Sequence, residues 1–138
     1  MNPGVEYINP AGAPPAQGLY SHCTRVKAGE QIHIAGQLAV GDDGSMVGAH
    51  DFEKQFHRVF ENLGAVLKGV GLDFNDVIKF TTYMVHSQDI EKFMPLRAAL
   101  FPRLFKGPAY PPNTLLVIDR LVKEGFLIEI EAIARARD

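Results

Sequence analysis

The two segments that close the sequence, Asn113 to Ile118 and Phe126 to Ala134, are apolar on both sides. Leu115 adjoins Leu116, Val117 adjoins Ile118, Leu127 adjoins Ile128, and Ala132 adjoins Ile133. A strand of this kind needs cover on both of its faces. The rest of the chain offers two helical segments, enough for one face of a sheet. The pattern therefore predicts an α+β chain whose second sheet face packs against another copy of itself. Junctions of that sort are ordinary places for ligand pockets.

The remaining elements follow from periodicity and punctuation. Val5 to Ile8 reads as a short strand, and the proline-bearing stretch Asn9 to Gly18 as a loop. Leu19 to Val26 and Gln31 to Val40 read as strands, the second with Ile32, Ile34 and Leu38 alternating against His33, Ala35 and Gln37. The turn at Lys27-Ala28-Gly29-Glu30 between them predicts a hairpin. Asp51 to Val70 is the clearest helix. Phe52, Phe56, Val59, Phe60, Leu63, Val66, Leu67 and Val70 form one apolar stripe, Asp51 suits the N-cap, and Gly71 supplies the stop. Asp76 to Val85 is a strand rich in β-branched and aromatic residues. Pro95 is comfortable only in the first turn of a helix, which predicts a turn over Asp89 to Lys92 and a helix from about Met94 to Phe101, ended by Pro102 and Gly107.

These elements fit one domain spanning residues 1–138. The net charge of −2 carries no basic block, against a dedicated nucleic-acid binder. The longest apolar runs fall short of a bilayer span, and the N-terminal segment lacks the charged and apolar regions of a secretory signal. With Cys23 as its one cysteine, the chain can form no internal disulfide. The expected setting is the cytoplasm, without membrane or nucleic-acid partners.

Signatures such as GxSxG, the P-loop, GxGxxG and HExxH are absent. His22 and His33 would face each other across the expected hairpin, but two imidazoles without a third ligand make a poor metal site. No metal and no other cofactor is expected. His57 reads as a surface or boundary residue on the long helix. Cys23 reads as a small buried strand residue rather than a thiol activated by Arg25. Glu129 and Glu131 leave the last strand on one side. They are either partly buried carboxyls with raised pKa, fit for acid–base work, or the charges of a protected edge strand. Asn113 either offers its amide to a ligand or closes an Asx-turn.

Taken in order, Gly18-Leu19-Tyr20-Ser21, Ile34-Ala35-Gly36-Gln37, Asn62-Leu63, Asp76-Val77-Ile78-Lys79, Pro111-Pro112-Asn113-Thr114 and Glu129-Ile130-Glu131-Ala132-Ile133-Ala134 resemble the RidA/YjgF family of reactive-intermediate deaminases. The resemblance covers nearly the whole chain. It implies a chorismate-mutase-like fold, with a six-stranded mixed sheet carrying two helices on one face. It also implies a homotrimer whose inter-subunit clefts bind small carbonyl or imine acids. By the same resemblance, Glu129 would position the hydrolytic water and Tyr20 would line the cleft. Asn113, Thr114, Ala35, Gly36, Gln37 and Met94 would meet the substrate.

The sequence departs from the family pattern where it matters chemically. Asn113 stands where deaminating members carry an arginine, Ala35 where serine is usual, Leu115 where cysteine is frequent, and Met94 where asparagine is usual. A guanidinium grips a carboxylate through two charged hydrogen bonds, and an amide cannot. The expectation is therefore an arginine-lacking branch with little activity on 2-iminopropanoate, unless Arg97 or Arg120 supplies the charge. Three readings follow: a deaminase acting on another enamine or imine, a non-catalytic trimer that binds a metabolite, and, least supported, an endoribonuclease.

Overall fold

The computed structural model describes residues 2–138. In chain order its strands are β1 (Val5–Ile8), β2 (Cys23–Val26), β3 (Gln31–Gln37), β4 (Val77–Met84), β5 (Asn113–Val117) and β6 (Ile128–Arg135). Its helices are α1 (Phe52–Gly69) and α2 (Ile90–Leu104).

The strands form two ladders. β3, β6, β4 and β5 lie in that order in one mixed sheet, with β4 and β5 parallel and the other pairs antiparallel. β1 and β2 form an antiparallel ribbon. Side chains dock the ribbon on the sheet: the Tyr7 hydroxyl donates to the Val77 carbonyl at 2.6 Å, and the Thr24 hydroxyl to that of Ile78 at 2.8 Å.

The hairpin expected between Leu19–Val26 and Gln31–Val40 does not form. β2 pairs with β1 and β3 with β6. Arg135 gives the reason. Its side chain is buried and donates to the Lys27 carbonyl at 2.9 Å and to the Ala28 carbonyl at 2.7 Å. The turn is thus occupied by a guanidinium, and the two strands leave it into different sheets.

Helix α1 forms as its sequence dictates. The Asp51 carboxylate accepts from the Lys54 amide at 3.0 Å. At the other end Gly71 takes φ 77°, and the amides of Gly71 and Leu72 bond the carbonyls of Lys68 and Leu67, the two bonds of a Schellman stop. Helix α2 departs from expectation. It begins at Ile90 and runs through both Pro95 and Pro102. Each proline removes an amide that would have bonded the carbonyl four residues back. Those carbonyls belong to Glu91 and Ala98, and all four residues lie on the exposed side of the helix, where water replaces the lost donor. Phe93 and Phe101 are buried on the opposite side, and their packing holds the helix together.

Both helices cover the same side of the sheet. On β4, Phe80, Thr82 and Met84 are buried against them, and on β6 so are Ile128, Ile130, Ala132 and Ala134. Between the layers runs a chain of aromatic rings, in which Phe60 touches Phe56, Phe80 and Phe101 at centroid distances of 4.9, 6.1 and 5.5 Å. The alternate residues, Thr81, Tyr83, Glu129, Glu131 and Ile133, point to the other side and are only half-buried. Among the described residues nothing covers that side as the helices cover the first. Leu116 at its β5 edge, in register with Tyr83, is 41% exposed, which leaves apolar surface of the kind that marks contact sites. Among the described residues no helix is long and apolar enough to cross a membrane.

Candidate functional site

Glu129 and Glu131 sit on β6, which has β3 on one side and β4 on the other. They are not the charges of an edge strand. Glu129 leans toward β3, where the ladder is irregular. Ile34 pairs with Ala132 and Gln37 with Ile130, so three residues of β3 span two of β6. This bulge lies at Ala35-Gly36, and bulges commonly re-aim side chains beside functional sites. The Glu129 carboxylate lies where a Cβ on residue 36 would stand. Only glycine leaves room for it. Burial, and then the neighbouring Glu131, push the Glu129 carboxyl above the usual carboxylate range. Glu131 itself accepts from the Tyr83 hydroxyl, a contact the sequence reading missed. Tyr83 pairs with Glu129 across the β4–β6 ladder, so the three groups form one acidic cluster on the uncovered face. Gln37 turns back, its amide donating to the Ala35 carbonyl at 3.0 Å.

The Gly36 contact yields a prediction. Gly36→Ala is expected to swing the Glu129 carboxylate into solvent and return its pKa toward the ordinary value near 4.3. The displaced group is the flexible end of a side chain, so thermal stability should change little. An NMR titration of Glu129 checks this, and a curve identical to wild type would show that Gly36 does not hold the carboxylate in place.

A second cluster forms on the helix side. Tyr20 stands over the Arg97 guanidinium at 5.7 Å, and Phe93 over it at 5.0 Å. Met94 Sδ accepts from Arg97 Nη2 at 3.4 Å, and Gly18 packs against both side chains. Tyr20 and Met94 are thus brought together, with Arg97 between them. The sequence held the signal for this burial, because Phe93, Arg97 and Phe101 recur at four-residue spacing on one face of α2. Arg120, the other cation considered for the missing charge, is 55% exposed along its side chain and pairs with Glu124 at 3.2 Å.

Asn113 belongs to the helix side as well. It pairs with Phe80, and its Oδ1 accepts from the Thr82 hydroxyl at 2.7 Å. The side-chain oxygen is therefore engaged across the ladder rather than closing an Asx-turn, and the amide NH2 remains available. Thr114 faces the other way and is exposed, in an open groove with His22, Cys23 and Lys79. Cys23 is exposed rather than buried, because β2 lies in the outer ribbon. His22 and His33 do not meet: the first contacts the Pro14 carbonyl and the second Gln31. His57 lies exposed on α1.

One chain therefore carries its candidate residues in two groups on opposite faces of its sheet. Glu129, Gly36, Ala35 and Gln37 lie on or beside the uncovered face. Tyr20, Met94 and Asn113 lie on the helix side.

Comparison with known proteins shows the family. Residues 11–136 match the family model described as Endoribonuclease L-PSP. The chain belongs to the RidA/YjgF family. It is 36% identical over 129 residues to a RutC family protein of Pyrococcus horikoshii, covering 94% of this chain and 96% of that one. A human protein named 2-iminobutanoate/2-iminopropanoate deaminase is 30% identical, with 92% of this chain and 87% of that one covered. Among solved structures, a conserved Rid-family protein of Yersinia pestis superposes with TM-score 0.85 at 31% identity, covering 96% of this chain and 99% of that one. The two helices and mixed sheet are those of this family.

Proposed function

We propose that the chain assembles as a homotrimer, that its inter-subunit clefts bind a small organic acid in its enamine or imine form, and that Glu129 drives hydrolytic release of ammonia there. The observation that carries the reading is the half-buried Glu129 carboxyl with its raised proton affinity. A carboxyl poised nearer neutrality both takes and returns a proton efficiently. In the proposed step Glu129 accepts a proton from water as the oxygen adds to the carbon of the C=N bond. Return of that proton to nitrogen gives the neutral carbinolamine; the carboxylate then takes the hydroxyl proton and passes it to the amino nitrogen as the C–N bond breaks, so ammonia leaves and the carbonyl forms. The sum is imine plus water to carbonyl plus ammonia.

The placement of the two groups supports the clefts. Tyr20 and Glu129 lie on opposite faces of one sheet, so a second copy must bring them together. The exposed apolar residue Leu116, which pairs with Tyr83 on the uncovered side, suits such a contact. The human relative named as a deaminase of two imino acids supports the substrate class. Asn113 favours a second reading, a trimer that binds a metabolite without turning it over. Endoribonuclease activity has the least support, given the net charge of −2 and the separation of His22 from His33.

The test has two parts. Light scattering is expected to return three times the chain mass of 15.2 kDa. Ammonia release from enamines and imines generated in situ is expected to exceed the spontaneous rate. Ligand-induced stabilisation without turnover would select the binding reading, and a monomer in solution would defeat both.

A further inference from the structure

Arg97 is 3% exposed, yet it forms no ion pair among the described residues. A guanidinium carries five N–H donors. Here one of them meets a thioether sulfur, a weak acceptor, at 3.4 Å, and the cation lies over the rings of Tyr20 and Phe93, 5.7 and 5.0 Å from their centroids. Buried charges are ordinarily paired, and the other deeply buried arginine, Arg135, bonds three carbonyls and the Asp138 carboxylate. Among the described residues the only buried side-chain nitrogen or oxygen left without a partner is Ser21 Oγ. The free N–H groups of Arg97 therefore open onto accessible space and are not sealed in the core. The two rings engage the cation without using its remaining N–H donors.

The position of those donors follows from the packing of α2 on β4. The chain turns back after β4, and Phe101 rests on Phe80 at 6.0 Å. Four residues back along the helix is about 6 Å, and two residues on along the strand is roughly 6.6 Å. Arg97 therefore stands at the height of Thr82, whose hydroxyl bonds Asn113. Asn113 itself pairs with Phe80, two strand residues back, and its side chain reaches up to that level through the Thr82 hydroxyl.

We infer that Arg97 is the anion-holding residue of this protein, presenting its unpaired donor edge to the carboxylate of a small organic acid beside Tyr20 and Met94. The charge that position 113 lacks is delivered from α2. The inference rests on the cleft reading above for the location of the ligand, but it concerns binding alone. The guanidinium has donors to spare for a planar carboxylate, which it can take through two charged hydrogen bonds.

Benzoate and its uncharged amide, benzamide, are the probes, with calorimetric titration of the full chain in its native assembly. Wild type is expected to prefer benzoate roughly 10- to 100-fold, the value of a charge-assisted hydrogen bond. Arg97→Met should bring the preference close to unity with benzamide affinity unchanged, and Arg97→Lys should keep part of it. A folded Arg97→Met protein that retains the preference overturns the inference, as does a wild type that binds no carboxylate. Should the methionine variant not fold, the wild-type NMR signal of Arg97 Nε decides. Saturating benzoate must move it, and an unmoved signal overturns the inference. Ammonia release is read separately. A protein that turns over imines but binds benzamide as well as benzoate keeps the proposed function and loses this residue's role.

Discussion

Glu129→Gln is expected to lower ammonia release by about 10²- to 10⁴-fold, the range that a positioned acid–base group supplies, while the protein keeps its fold. The glutamine fills the same space beside Gly36 and removes only the ionisable proton. A second effect follows from the raised proton affinity of Glu129, caused first by burial and then by Glu131. A group whose folded pKa lies above its unfolded value adds stability that is full below the unfolded pKa, about 4.3 for glutamate, and is lost as pH rises through the folded pKa. Wild type should therefore lose stability across that window, and the glutamine variant should not share the loss. Thermal melts are expected to show Glu129→Gln at or above wild type near neutrality, with the gap closing in acid. Full turnover in the variant would remove Glu129 from the chemistry. A gap that widened in acid would show that the carboxylate is stabilised in the fold, contrary to its burial.

The two halves of the proposed cleft explain each other physically. Glu129 needs a surrounding that disfavours its charge, and the bulge at Ala35-Gly36 provides it by drawing the carboxylate down on β3. Arg97 carries an opposite charge on the far side of the sheet and is equally short of partners. Were the two side by side within one chain, they would pair, and the proton affinity of Glu129 would fall. Within one chain the fold keeps them apart, and in the proposed cleft the ligand would stand between Arg97 of one copy and Glu129 of the next.

Much of this was legible in the residues. The stripe and caps of α1 are local, and they form where the sequence sets them. The partial burial of Glu129 follows from the alternation of β6 between Leu127 and Ile133. The failures are non-local. The turn after Val26 is real, but only Arg135, more than a hundred residues away, decides that its strands part. Pro95 and Pro102 are locally unfavourable in a helix, and their tolerance depends on which side of α2 faces solvent. The burial expected of Cys23 rests on the usual behaviour of a free cysteine, and the placement of β2 in the outer ribbon overrides it. The pairing of Tyr83 with Glu131 and of Thr82 with Asn113 depends on strand register, and periodicity does not reveal register.

The largest loss of stability is expected from Phe101→Ala. Phe101 is 2% exposed and joins every layer of the core. Its ring meets Phe60 on α1 at 5.5 Å, Phe80 on β4 at 6.0 Å, Phe105 just beyond α2 at 4.9 Å and Tyr110 in the loop before β5 at 5.9 Å. Truncation to alanine removes all four contacts and opens a void at their centre. Such changes cost about 3–5 kcal/mol, a large part of the 5–15 kcal/mol that ordinarily holds a domain together, and lower Tm by roughly 10–20 °C for a chain of this size. Phe101→Leu keeps most of the volume and should lose about half as much or less. Denaturant melts at fixed protein concentration distinguish the two. A loss below about 1 kcal/mol for alanine would mean that the core collapses around the gap. The effect should also reach the ligand. Phe101 lies one helical turn from Arg97, and through Tyr110 it supports the chain that leads to Asn113. A protein that survives the truncation should therefore bind benzoate more weakly than its remaining stability alone requires.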